Sequence, residues 1–288
     1  MRFRDLSAVL KQVAKAWSED RVPSMGAALA FYTTFSLAPL LLIVMAVAGL
    51  VFGEEAARGQ IQSQLRSLMG EQGAGAVQAL LASVHQPAES AATAAVGGIM
   101  LLIGATTVFG ELQDALDRIW RANNLLPSHG WWLLLRNRLL SFGMILAIGF
   151  LLMVSLMVSA ALASFGQGIG SWLGEWVFIA QAVNTVLSFV SISVMFALIY
   201  KYMPRVHVHW KDVWIGAVIT AVLFTVGKAL IGLYLGRSSV SSGFGAAGSL
   251  VVVLLWVYYS AQIFLLGAEI TWVYANSFGS RKAAGLGR

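Results

Sequence analysis

Apolar residues in this chain form six long runs, at roughly 25–52, 91–110, 139–165, 177–200, 213–235 and 245–274. Each run reaches or exceeds the ~20 residues that an α-helix needs to cross a bilayer. The runs therefore predict an all-α integral membrane protein with six transmembrane helices. The second run is the shortest, and we expect its helix to continue into the segment that follows.

Segments outside the runs show apolar residues at helical spacing. Residues 54–90 carry two apolar helical faces separated by Gly70, Gly73 and Gly75, which predicts two short amphipathic helices. These helices either cap the bundle or rest on the outer leaflet. Residues 110–123 predict a further amphipathic helix at the inner membrane surface.

The first residues predict a different kind of helix. Residues 1–24 mix basic side chains with apolar ones at helical spacing, as in a basic amphipathic helix on a membrane surface. The stretch has no apolar core of its own, so we do not expect a cleavable signal peptide. The predicted organisation is this helix, a single membrane domain over 25–275 and a basic tail over 276–288.

Composition supports this picture. The chain is 58% hydrophobic and 11% charged, whereas a soluble domain is about 25% charged. A soluble fold of 288 residues has too little interior for so much apolar surface. The absence of Cys excludes disulfides, thiolate metal sites and a Cys nucleophile.

Basic residues are distributed unequally between the two sets of loops. The loops on one side hold only Arg58, Arg66 and Arg237. The loops on the other side hold Arg2, Arg4, Lys11, Lys15, Arg21, Arg118, Arg121, Arg136, Arg138, Lys201, Arg205, Lys211, Arg281, Lys282 and Arg288. By the positive-inside rule both termini are predicted to be cytoplasmic. The net charge of +6 then belongs to a rim that faces anionic headgroups, not to a nucleic-acid site.

Polar residues within the runs mark a candidate substrate cavity, because polar groups that face lipid are costly. The candidates are Tyr32, Ser36, Pro39, Asn184, Ser188, Lys228, Tyr258, Gln262 and Glu269. Several have purely structural alternatives. Pro39 predicts a kink, which is either structural or a hinge beside a cavity. Asn184 and Ser188 share a face with Gln181 and Ser191, and interhelical hydrogen bonds alone explain such a face.

On the sixth span, Tyr258, Gln262, Leu265 and Glu269 lie on one helix face at spacings of 4, 3 and 4. The three polar members of this face form a polar stripe. Lys228 is the only cation in the predicted spans. At the helical rise per residue, Lys228 and Glu269 lie at depths in the membrane that differ by about 15 Å. We therefore expect them not to pair directly. Lys228 either snorkels to the outer interface or contacts an anion, and Glu269 either accepts hydrogen bonds near the inner rim or lines the cavity.

Signatures of catalysis are missing from the sequence. No HExxH, GxSxG or Walker A motif occurs, and the acidic residues are scattered. His207 and His209 lie close together, but they lack further ligands and make a poor metal site. We therefore predict no catalytic residues, no metal and no cofactor, and a protein that is not an enzyme.

Three motifs in order resemble a known family: AALAFYTTFSLAPLLLIVMAVAG at 27–49, GELQDALDRIW at 110–120 and GSLVVVLLWVYYSAQIFLLGAEIT at 248–271. The chain resembles the YihY/BrkB family of bacterial inner-membrane proteins. That resemblance implies six transmembrane helices in the cytoplasmic membrane. Members once carried the label ribonuclease BN, but no catalytic constellation here supports that activity. The family offers no agreed functional residues to transfer.

Two functions follow as expectations. The first is a transport-type protein that moves a lipid, an amphiphile or a small anionic solute through a polar intramembrane cavity. The alternative is a non-transporting scaffold that docks cell-envelope assembly partners. The expected partners are membrane lipids and, for the scaffold, an envelope-assembly protein. We expect no nucleic-acid partner. The sequence leaves open whether the chain forms a homo-oligomer.

Overall fold

A computed structural model describes residues 3–84, 107–122, 174–237 and 247–282. Within these ranges the chain is helical apart from short turns, and it contains no strand. The predicted span at 139–165 and all but the end of the span at 91–110 lie outside the described residues. The prediction of an all-α protein is confirmed for the part described.

Seven helices are labelled here in chain order over the described ranges. They are α1 (Phe3–Glu19), α2 (Val22–Phe52), α3 (Glu54–Val84), α4 (107–119), α5 (Gly174–Tyr202), α6 (Trp210–Arg237) and α7 (Gly248–Ser277). Four of these, α2, α5, α6 and α7, coincide with predicted spans to within a few residues. Among the described helices, three have the length and apolar composition to cross a membrane: α5 from Ala182, α6 to Leu235, and α7.

The long helix α2 begins sharply. Arg21 adopts the left-handed conformation (φ 54°), and a proline occupies the first turn of α2. The left-handed residue ends α1, and the fixed φ of proline suits a helix start. No charged residue occurs in the 31 residues of α2.

Hydroxyl groups inside α2 bond to carbonyls of the same helix. Thr34 donates to the carbonyl of Ala30 at 2.7 Å and Ser36 to that of Thr33 at 3.1 Å. The helix is continuous through position 39, while the Pro39 side chain itself lies outside the described part.

Helix α3 is broken where the sequence predicted an interruption. Gly70 has φ 73° and ψ 178°, so it separates two helical halves within Glu54–Val84. Glycine adopts this backbone at no steric cost. Met69 and Val77, on either side of the break, join a buried apolar cluster with Ile231 of α6 and Val253 of α7. Both halves of α3 therefore pack on residues of α6 and α7.

Contacts divide the chain into two compact units. The first comprises Met1–Ala14, Leu116–Val222 and Gly267–Arg288. The second comprises Lys15–Ala115 and Leu223–Leu266. The apolar cluster around Met69 and Val253 is the core of the second unit. In the first unit, Trp120, Tyr200 and Ala268 are almost completely buried.

Candidate functional site

The second unit contains an amphipathic cleft of about 340 Å³, here called the α2–α3 cleft. It is lined by one residue of α2 and by both halves of α3: Met45, Arg58, Ile61, Gln62, Leu65, Gln78, Leu81 and Ala82. The break at Gly70 turns the two halves of α3 so that each contributes to the lining. None of these residues was among the cavity candidates predicted from the sequence.

Charges beside the α2–α3 cleft are paired along α3. Arg58 donates to Glu54 at 2.7 Å, and both side chains are largely exposed. Arg66, which does not line the cleft, lies 3.2 Å from Glu71. Such exposed pairs contribute at most about 1 kcal/mol. Arg58 can therefore exchange Glu54 for another anion at little cost in stability.

Gln262 of the predicted stripe packs against the start of α2. Its amide nitrogen lies 3.4 Å from the carbonyl oxygen of Pro23. A methyl group added at Gly26 would overlap the Gln262 amide, so this glycine permits the close approach of α2 and α7. The Gln262 amide oxygen is buried and accepts no hydrogen bond within the described part of the chain. This contact makes Gln262 part of a helix–helix junction.

The other candidates in the second unit are partly accessible. Tyr32, Lys228 and Tyr258 are half-buried, and Ser36 is buried, with its hydroxyl bonded within α2. Close helix packing occurs beside Lys228, where Gly227 lies against Tyr259 and Ile263 of α7. A methyl group at Gly227 would overlap Ile263. None of these four candidates lines the α2–α3 cleft.

In the first unit, three helices meet at small residues. The hydroxyl groups of Tyr200 (α5) and Thr220 (α6) are 3.0 Å apart and buried. Both lie against Gly267 of α7, where a methyl group would overlap them. One turn along α7, Thr271 packs onto Gly216 in the same manner. Small residues allow this close approach of helices within membranes.

The remaining candidates of the first unit differ strongly in exposure. Glu269 is completely buried, beside the Gly267 junction in sequence. Asn184 is exposed and Ser188 half-buried, whereas Ser191 on the same predicted face is 7% exposed. Burial thus increases along this face of α5 towards Tyr200.

A network of polar contacts ties the ends of four elements together in the first unit. Asp117 of α4 accepts a hydrogen bond from the backbone N–H of Arg205 at 2.7 Å, and its other oxygen lies 3.4 Å from the Arg205 Nε. Asp212 of α6 accepts hydrogen bonds from the backbone N–H and the hydroxyl of Ser280. Both carboxylates are nearly buried.

Arginine–aromatic contacts complete this network. The Arg281 guanidinium lies 5.1 Å from the ring centre of Trp120 and donates to the carbonyl of His207. The Arg121 guanidinium lies 5.2 Å from the ring centre of Trp272. Cation–π contacts of this kind stabilise by about 0.5–2 kcal/mol. They attach α4 and the residues after α7 to the same end of the first unit.

The described part of the chain contains no metal-binding arrangement of side chains. No group of three His, Cys, Asp or Glu side chains there is placed to hold an ion. The rings of His207 and His209 are 5.6 Å apart and exposed. The sequence prediction of no metal site stays a prediction.

Two features of the structure were not predicted from the sequence. The Tyr200–Thr220–Gly267 junction is signalled only weakly, by small residues and hydroxyls inside apolar runs. The α2–α3 cleft is signalled by Gln62 and Gln78, which are polar residues next to the apolar faces of α3. Sequence spacing identifies residues on one helix face, but it does not say which face of another helix they meet.

These helices and contacts define a multi-pass membrane protein. The family described as "Virulence factor BrkB" matches residues 13–286, and the chain belongs to this family, as its motifs predicted. A UPF0761 membrane protein of Ralstonia nicotianae is 26% identical over 268 residues, which cover 92% of this chain and 58% of that protein. One from Neisseria meningitidis serogroup B is 27% identical over 263 residues, covering 90% and 61%.

A third relative, a UPF0761 membrane protein of Stenotrophomonas maltophilia, is 28% identical over 258 residues. That alignment covers 88% of this chain and 57% of the relative. The chain thus spans about three fifths of the length of the curated relatives it matches. No solved structure matches it.

Proposed function

We propose that this chain is a transport-type protein of the bacterial inner membrane that moves a lipid, another amphiphile or a small anionic solute. The observation that supports this proposal best is the α2–α3 cleft, an open space in which apolar and polar side chains face each other. Its volume of about 340 Å³ is at the lower end of the range typical of ligand pockets.

The proposed topology has six spans with both termini in the cytoplasm. The excess of Lys and Arg in one set of loops supports it. In this topology α2 runs outward, so α3 and the cleft lie at the outer end of the first span. A lipid leaving or entering the outer leaflet would meet the cleft first.

The chemistry of the cleft favours an amphiphile among these substrates. Ile61, Leu65 and Leu81 supply an apolar wall for an acyl chain. Gln62 and Gln78 supply amide donors and acceptors, and Arg58 supplies a cation whose partner Glu54 is exposed. A polar headgroup and an apolar tail can therefore be bound by neighbouring parts of one surface.

The second candidate function is the non-transporting scaffold. Close packing at Gly26, Gly227 and Gly267 favours it, because these glycines bring helices together where a cavity was expected. Gln262 in particular is occupied by a helix junction. In either case we propose that the chain is not an enzyme, since its sequence lacks paired acid–base groups.

Transport is tested with the purified chain in proteoliposomes, by following translocation of a fluorescent phospholipid with and without the protein. Ala82→Trp fills the cleft, whereas Ala79→Trp places the same bulk at an exposed position of α3 that does not line the cleft. We expect Ala82→Trp to slow translocation about tenfold and Ala79→Trp to leave it unchanged. Equal rates for both variants would contradict a role for the cleft.

The cation in the cleft has its own matched control. Arg58→Gln and Arg66→Gln each remove one exposed, paired arginine of α3, but only Arg58 lines the cleft. We expect Arg58→Gln alone to slow translocation. The intramembrane candidates are tested by Lys228→Ala, Glu269→Gln and Gln262→Ala. If no translocation occurs with the unmodified protein, the scaffold function replaces transport.

A further inference from the structure

One short segment of the first unit combines exposed aromatic rings with fixed positive charge. It joins two helices that can span a membrane, α5 ending at Tyr202 and α6 beginning at Trp210. The residues of this surface, here called the interfacial patch, are Lys201, Tyr202, Trp210, Lys211 and Trp214. Their position at two span ends places them at the boundary between hydrocarbon and water.

The aromatic part of the interfacial patch is continuous. Tyr202, Trp210 and Trp214 are 51%, 41% and 42% exposed. The rings of Tyr202 and Trp210 are 6.0 Å apart in an edge-to-face arrangement, and those of Trp210 and Trp214 are 6.5 Å apart. Tyrosine and tryptophan rings favour the headgroup level, where one end is apolar and the other is wet.

The charge of the interfacial patch is held in place. The Lys201 ammonium lies 5.6 Å from the ring centre of Trp210 and donates to the carbonyl of Val208. An ammonium has three donors, so it can bind an anion in addition to Val208. Lys211, the second residue of α6, is exposed.

No exposed carboxylate opposes this charge within residues 201–214. The one acid there, Asp212, is 2% exposed and is bonded to Ser280. The neighbouring acid Asp117 is 7% exposed and is bonded to Arg205. The accessible charge of the segment is therefore positive, and it lies next to rings that bind at the acyl–headgroup boundary.

We propose that the interfacial patch is a binding site for one anionic phospholipid. The Lys201 and Lys211 ammonium groups bind the phosphate, and the rings of Trp210, Tyr202 and Trp214 contact the glycerol and the first part of the acyl chains. The pre-set position of Lys201 over Trp210 distinguishes this site from diffuse attraction to a charged membrane. The site does not depend on transport, so it stands or falls separately from the proposed function.

Native mass spectrometry of the purified chain tests the proposal, with phosphatidylglycerol and phosphatidylcholine of equal chain length as probes. We expect one phosphatidylglycerol to be retained in preference to phosphatidylcholine. Loss of one surface cation weakens binding to anionic lipid about fivefold. We therefore expect Lys201→Gln and Lys211→Gln each to weaken retention of that lipid by about this factor.

Two controls separate a site from general charge. Lys11→Gln removes an exposed cation of α1 in the same unit and should change retention less than about twofold. Lys201→Arg keeps the charge over Trp210 and should retain the lipid. Equal retention of both lipids, or equal losses in Lys11→Gln and Lys201→Gln, would overturn the proposal. Displacement of the lipid by millimolar inorganic phosphate would instead assign the site to free phosphate and also overturn it.

Discussion

The hydroxyl groups of Tyr200 and Thr220 lie 3.0 Å apart, and a Cβ on Gly267 would overlap both of them. Thr220 also donates to the carbonyl of Gly216 within its own helix. The pair therefore links α5 and α6 at a position where α7 approaches both closely. Side chains larger than hydrogen at position 267 would separate all three helices.

The first prediction concerns this glycine. Gly267→Ala should destabilise the protein by about 1–3 kcal/mol, the usual cost of overpacking a filled interior. Thermal unfolding in detergent, followed by tryptophan fluorescence, measures the change. Gly232→Ala is the matched control, because a methyl group there meets nothing within 4 Å. Because Gly232 lies inside α6, Gly232→Ala should be neutral or should stabilise the protein by up to about 1 kcal/mol. Similar losses for both variants would refute the close contact at Gly267.

The second prediction addresses the hydroxyl pair itself. A double-mutant cycle with Tyr200→Phe and Thr220→Val should give a coupling energy of about 0.6 kcal/mol, the average for polar contacts between membrane helices. The coupling stays modest because each hydroxyl finds other partners when the first is lost. The free energy of unfolding in mixed micelles provides the four values. Strict additivity would mean that the two hydroxyls do not interact.

A third prediction separates the two partners of the α4 ion pair. Asp117→Ala should cost about 2 kcal/mol, because it leaves the backbone N–H of Arg205 without its charged acceptor. Arg205→Ala should cost less than about 1 kcal/mol, since that N–H remains and the Arg205 side chain is 42% exposed. Denaturant or thermal unfolding of both variants decides the order. The reverse order would show that the guanidinium, not the backbone contact, stabilises α4.

The fourth prediction tests the residues after α7. Removal of residues 279–288 deletes Ser280 and Arg281, and with them the hydrogen bonds to Asp212 and the contact with Trp120. Asp212 would then be left without its Ser280 donors, at a cost of about 1–3 kcal/mol. We expect a lower unfolding temperature and faster proteolysis at 203–209. Lys282→Ala, which truncates an exposed side chain in the same segment, is the control and should change neither.

A fifth prediction uses the two arginines with positive φ. Left-handed backbone costs a residue with a Cβ about 1–2 kcal/mol. Arg21→Gly should therefore stabilise the start of α2, where φ is 54°. Arg121→Gly should gain less or lose stability, because it also removes the cation–π contact with Trp272. Unfolding temperatures of the two variants measure the difference. An equal gain at both positions would show that the Trp272 contact contributes nothing.

Much of the secondary structure was predictable from local properties of the sequence. Hydrophobicity over a window reports membrane-spanning length, and helical spacing reports amphipathic faces. Both act over a few turns, so α5, α6 and α7 fall where the runs predict them. The break of α3 at Gly70 was predictable for a related reason, since glycine is the residue that adopts a positive φ freely.

The candidate site was less predictable. The stripe of Tyr258, Gln262 and Glu269 suggested a shared cavity, because the three residues lie on one face of α7. In the structure Gln262 packs on Gly26 of α2, and Glu269 is completely buried next to the Gly267 junction. Helical spacing contains no information about the partner helix, and residues 23 and 262 are far apart in the chain.

The sequence by itself determined that this is a helical membrane protein of the BrkB family, where several of its spans run and where α3 breaks. These properties follow from hydrophobicity, helical period and glycine, which each residue carries with its near neighbours. Only the tertiary structure decided that Tyr200 meets Thr220 over Gly267, that both halves of α3 line one cleft, and that Lys201 rests on Trp210. Those contacts depend on the close approach of helices, which is set by the size and shape of side chains distant in the chain.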